Sequence, residues 1–97
     1  MNTIDELLTR GRQVTDRYIK KKGEWCLNMQ MLKIYEEVGE LQRTNKPREA
    51  LDEGSDVIYA VLTFWHLARF DDESIKDALE RTMQKIEKRS VNVMEKQ

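Results

Sequence analysis

The sequence predicts an all-α fold, a four-helix bundle in a single domain spanning residues 1–97. Three observations carry this. Apolar residues recur at three- and four-residue steps in successive stretches, the spacing of one helical face. Only one proline occurs in 97 residues, and it falls between two of those stretches. Charged residues make up 36% of the chain, which suits helices with solvated outer faces better than a sheet. A chain this short gains from oligomerisation in burying a core, so a homodimer or a dimer of dimers is expected.

The elements follow in order. Thr3 with Glu6 reads as a capping box, opening a first helix through Leu7, Leu8, Val14, Tyr18 and Ile19 toward Lys22. Gly23 is expected to end it. Gly11 in its interior, with a basic flank of Arg10, Arg12, Arg17, Lys20, Lys21 and Lys22, argues against tight packing there. That flank reads as a solvated face, with phosphate contact as the alternative. A second helix starts near Trp25, and Leu27, Met31, Ile34, Val38 and Leu41 give it an apolar seam for a neighbour. A turn at Asn45-Lys46-Pro47 follows, the proline suiting the first turn of a third helix, where its missing N–H does no harm. In that helix Ala50, Val57, Val61, Phe64, Trp65 and Ala68 form a wide apolar arc, expected to be covered on more than one side. Asp71-Asp72 caps a fourth helix to about Arg89, with Ile75, Ala78, Leu79, Thr82 and Ile86 facing inward. The tail from Ser90 is expected to fray.

Composition excludes several classes. Seventeen basic against eighteen acidic residues give a net charge of −1, so no global basic field draws nucleic acid. A lone cysteine, Cys26, rules out an internal disulfide and fits a reducing compartment. MNTIDELL lacks the basic-then-apolar order of a secretory signal, and the uncharged run from Val57 to Ala68 is too short for a bilayer. A cytoplasmic chain without membrane partners is expected.

Chemistry concentrates in KIYEEVGEL and LDEGSDVIY, on either side of the Pro47 turn. Residues three apart share a helix face, so Glu37 pairs with Glu40 and Glu53 with Asp56. In an antiparallel hairpin Glu40 stands level with Glu53, and Glu37 with Asp56. Four carboxylates would converge. Crowded like charges repel and push each other's pKa upward, so the cluster needs solvent or a hard cation. Oxygen-only ligands suit Mg²⁺, Mn²⁺ or Ca²⁺ rather than zinc or copper. Glu53 also lines up with Ala60, Phe64 and Leu67, an apolar stripe that a surface ion pair explains poorly. Gly39 and Gly54 each cost about 1 kcal/mol in a helix interior, and close backbone approach beside the acids is the expected reason. The alternative reading of the four acids is a charged, solvated hairpin.

The strings EEVGEL and EGSDVIY, with twelve residues between Glu40 and Glu53, resemble the ExxE…ExxD signature of the MazG-like all-α nucleoside triphosphate pyrophosphohydrolases. Dimeric dUTPases, dCTP pyrophosphatases and phosphoribosyl-ATP pyrophosphohydrolases belong to that superfamily, and the likeness runs from about Trp25 to Arg89. It implies hydrolysis of a (d)NTP to the monophosphate and pyrophosphate, in the manner of nucleotide-pool house-cleaning. It further implies Mg²⁺, with Mn²⁺ as a substitute, on Glu37, Glu40, Glu53 and Asp56. Glu36 or Glu37 would activate the attacking water. ALERTMQKIEKR is similar to the family segment bearing an asparagine, a lysine and arginines; Lys85 and Arg89 match it as phosphate ligands, while Met83 stands where the asparagine is usual. Lys85, Lys88 and Arg89 equally suit a solvated helix end that complements the dipole. Trp25 has two readings, stacking on the base as an aromatic does in relatives, or packing in the core or a dimer interface. Tyr59 reads as structural or interfacial. His66 falls on a polar face, alone, and supports no metal site; the methionines are core filling. Two other functions fit, a phosphoribosyl-ATP pyrophosphohydrolase and a catalytically silent helical interaction module.

Overall fold

In the computed structural model, which describes residues 3–22 and 26–95, the chain forms four α-helices and no strand among those residues. They are α1 (Thr3–Lys22), α2 (Leu27–Gln42), α3 (Pro47–Leu67) and α4 (Asp72–Glu95). Gly23 and Trp25 lie outside the described residues, as do the side chains of residues 18, 21, 22 and 92–95.

The connections have the expected chemistry. Pro47 opens α3 at its first position behind an extended Lys46. Asp71 accepts the Ser74 N–H at 2.8 Å through Oδ1, the side-chain cap of α4, and hydrogen bonding from the Ser74 side chain, then from its N–H, holds the Asp71 carboxyl below the ordinary carboxylate range. Between α3 and α4 the chain turns through Arg69, whose φ is 70°. Phe70 N–H donates to Trp65 O at 3.2 Å and Arg69 N–H to His66 O at 3.1 Å, the paired bonds of a Schellman ending.

α2 and α3 pack as an antiparallel hairpin. At its open end the buried Gln30 amide donates to Ala60 O at 2.9 Å. α1 crosses α3 on another side, where Leu8, Leu62 and Ile75 form a small apolar core with Trp65 against it. Gly11 is part of this crossing, and a Cβ there would meet Leu62 and His66, each at 3.4 Å. The expectation that Gly11 marks loose packing is thus corrected: its missing side chain admits α3. Arg12 ties α1 to the start of α4 through Asp72 and Phe70 O, and Lys76 Nζ meets Asp5 at 2.8 Å.

Much apolar surface finds no cover among the described residues. On α2 only Gln30 and Glu37 are buried; Leu27, Met31 and Val38 of the expected seam are 37–44% exposed. The α3 arc is half-buried, and the fully buried positions are instead Ala60, Leu62 and His66. Ile75 alone of the expected α4 inner face is buried, while Leu79 and Ile86 are exposed because none of the described residues covers them. α4 also continues as helix to Glu95, past the fraying expected from Ser90. The radius of gyration is 16.1 Å, against about 12–13 Å for a compact chain of this length. Accessible surface is 8030 Å², where a compact monomer of 11.6 kDa exposes about 5,800 Å².

Candidate metal centre and adjoining cavity

Glu37 and Glu40 belong to successive turns of α2, and Glu53 reaches them from α3. One carboxylate oxygen from each lies within 4.8 Å of the others. The hairpin therefore brings together three of the four acids expected to meet. Asp56, one turn beyond Glu53, falls outside that group; it is exposed and lines a neighbouring cavity together with Glu36 and Glu37.

Burial makes this grouping informative. Glu37 is 8% exposed, and its Oε2 has no hydrogen-bond partner among the described residues; the same holds for Oε2 of the half-buried Glu53. Unpartnered buried carboxylate oxygens are costly. The charge of Glu37, aided by partial burial and by Glu53, holds the Glu40 carboxyl above its ordinary value. Among the described residues Lys33 is the one cation that reaches the acids: its Nζ lies 3.0 Å from Glu37 Oε1 and 3.8 Å from Glu36 Oε2. That ion pair raises the Lys33 pKa, the bond to Glu37 contributing most. A group of close oxygens, two with free lone pairs in buried positions, has the donor chemistry of a hard divalent cation site.

Two expectations about this region are corrected. A Cβ at Gly54 would meet nothing within 4 Å, and at Gly39 only the flexible Arg43 side chain, at 3.2 Å. Neither glycine allows a close approach of backbones within the chain. His66 is not on a polar face. It is 5% exposed against Gly11, neither ring nitrogen has a partner among the described residues, and burial lowers its pKa.

The cavity beside the acids has a volume of about 560 Å³. Val14, Ile19, Ala60 and Leu67 give it apolar walls, and Thr15, Lys33 and Tyr59 add polar groups. Reading the sequence missed Lys33, Thr15 and the part α1 plays in this wall. The signal for Lys33 was present, since it precedes Glu37 by four residues on one helix face. Lys85 and Arg89 belong neither to the cavity wall nor to the carboxylate group; both sit on the exposed far half of α4. Comparison with family models, with curated proteins and with solved structures returns no match.

Proposed function

We propose that the chain is a divalent-cation-dependent nucleoside triphosphate pyrophosphohydrolase of the MazG-like kind, working as a homodimer or a dimer of dimers. The observation that carries this is the trio Glu37, Glu40 and Glu53, in which Oε2 of Glu37 and of Glu53 is buried with no partner among the described residues. These three would hold Mg²⁺ or Mn²⁺, with Asp56 at the cavity edge completing the set. The ion supplies neutralisation of triphosphate charge and polarisation of the reacting phosphorus.

The chain's own groups divide the remaining work. A water oxygen bonds to the α-phosphorus as the bond to the α–β bridging oxygen breaks, releasing monophosphate and pyrophosphate. Glu36 would take the water's proton: it lines the cavity with an exposed side chain, and its contact with Lys33, at 3.8 Å, is looser than that of Glu37, at 3.0 Å. The apolar wall of Val14, Ile19 and Leu67 excludes solvent and receives the nucleoside. Lys85 and Arg89 have no role within their own subunit's cavity, so in this reading they serve across a subunit interface, on the leaving pyrophosphate. The open α2 seam and roughly 2,200 Å² of surface beyond that of a compact monomer support such an interface.

A second reading draws on the same exposed apolar faces, that of a silent helical module for a partner protein. Pyrophosphate release across a panel of ribo- and deoxynucleoside triphosphates with Mg²⁺, and across phosphoribosyl-ATP, tests the proposal. Turnover of at least one substrate is expected. No release from any, together with a melting midpoint unmoved by millimolar Mn²⁺, leaves the silent module. No described helix is long and apolar enough to cross a membrane.

A further inference from the structure

Lys33 is a poor match for the acids it touches. One ammonium meets one oxygen of Glu37 at 3.0 Å and, more loosely, Glu36 Oε2 at 3.8 Å, leaving Glu37 Oε2 and Glu53 Oε2 buried without partners among the described residues and Glu40 crowded by Glu37. Its side chain is 45% exposed, so its head group can swing without disturbing any packed core. Among the described residues lining the cavity it is also the only cation. A side chain that both neutralises an acid and stands on the wall of the adjoining cavity has two places to put its charge.

We infer that Lys33 is a positioning and substrate-binding residue that exchanges partners: it holds Glu37 while the carboxylate trio lacks a divalent ion, and turns to the phosphate oxygens of a bound triphosphate once the trio is filled. This rests on the metal-dependent reading above. Two cations drawn to one carboxylate repel, so Lys33 and a divalent ion compete for Glu37. Lysine suits such an exchange because its ammonium is a compact charge on a flexible stem, with no fork geometry to lock it in place. Once released from Glu37, Nζ keeps only the 3.8 Å contact to Glu36, and the cavity that both residues line has room for a closer anion. A fixed helical ion pair behaves differently. Its loss also relieves repulsion of the ion and tightens Mn²⁺ binding, but while present it stays on Glu37 when the trio fills, so its protection from acylation does not change with Mn²⁺.

The test uses Mn²⁺ and inorganic tripolyphosphate as probes on the full chain. Removing the competitor with Lys33→Met is expected to tighten Mn²⁺ binding about tenfold, and to weaken binding of tripolyphosphate to the Mn²⁺-loaded protein by about as much. Lysine acylation followed by mass spectrometry gives a readout that does not depend on substitution. Lys33 of the natural chain should label slowly without metal, faster with Mn²⁺, and slowly again when tripolyphosphate is added. Equal or weaker Mn²⁺ affinity in Lys33→Met, or Lys33 labelling that Mn²⁺ leaves unchanged although it binds, overturns the exchange while sparing the metal site. Failure of the natural chain to bind Mn²⁺ at all overturns both.

Discussion

α3 makes two interfaces of opposite character. Toward α1 and α4 it contributes Leu62, which joins Leu8 and Ile75 in an apolar core. Toward α2 the buried partners are Gln30 and Glu37, an amide and a carboxylate. The first interface stabilises by removing apolar area from water; the second brings carboxylates together at the expense of stability. α2 accordingly leaves Leu27, Met31 and Val38 of its apolar seam exposed while Glu37 is buried. A helix that leaves much of its apolar seam open while burying Glu37 has its stability supplied by one surface and its chemistry by another.

The largest expected effect probes the polar interface. Glu53→Gln keeps size and shape but removes one carboxylate of the trio. Metal-dependent pyrophosphate release should fall by about 10³-fold, the scale of losing a directed electrostatic contact. Helicity should be unchanged, and the metal-free melting midpoint equal or higher, because one negative charge has left a crowded group of carboxylates. Unaltered turnover would remove Glu53 from the site. In the apolar interface the expected result is reversed. Leu62→Ala should cost about 2–5 kcal/mol in denaturant unfolding, and Mn²⁺ affinity of the fraction still folded should be unchanged. Should Leu62→Ala weaken Mn²⁺ binding as much as Glu53→Gln does, the two faces are not separable.

Those two substitutions also mark what could be read from sequence. The hairpin geometry was legible: Pro47 fixes the turn, and three-residue spacing sets Glu37 with Glu40 opposite Glu53. Asp56 was less so, because counting from the turn gives axial height but not whether a side chain leans into the group or over the cavity. The covering of faces was illegible. Periodicity finds the seam of Leu27, Met31 and Val38 but cannot tell a seam covered by its own chain from one left exposed. Gly11 and His66 were misread for a related reason. Their burial depends on which side of α3 the first helix crosses, a long-range fact that composition within α1 does not contain.

A smaller effect sharpens the comparison through pH. Glu40 titrates above the ordinary glutamate value of 4.5 in the folded chain, chiefly because of the Glu37 charge. Between the unfolded and folded values the native state binds more protons, so stability falls as pH rises through that window and is regained on acidification. Glu40→Gln should therefore raise the metal-free melting midpoint at neutral pH, and the gain should shrink as pH falls toward 4.5. Millimolar Mn²⁺ should reverse the ranking, stabilising the natural chain more than the variant. A gain that is the same at both pH values would mean Glu40 is not held near other charges.

Arg69→Gly provides the smallest effect and the control that gives the others meaning. Arg69 sits at φ 70° in the α3–α4 corner, where a Cβ is disfavoured by about 1–2 kcal/mol. Part of that relief is offset by the greater freedom of glycine in the unfolded chain, leaving a net gain of up to about 1 kcal/mol. The source of the gain is backbone conformation, remote from the trio and uncharged in its mechanism. It should be equal at pH 5 and pH 7, and equal with and without Mn²⁺, when measured by thermal melting. Set beside it, a stabilisation by Glu40→Gln that depends on both pH and ion can come only from the crowded acids. If the two variants respond to pH and Mn²⁺ alike, the dependence belongs to the whole chain, and the contrast between the two faces of α3 loses its electrostatic basis.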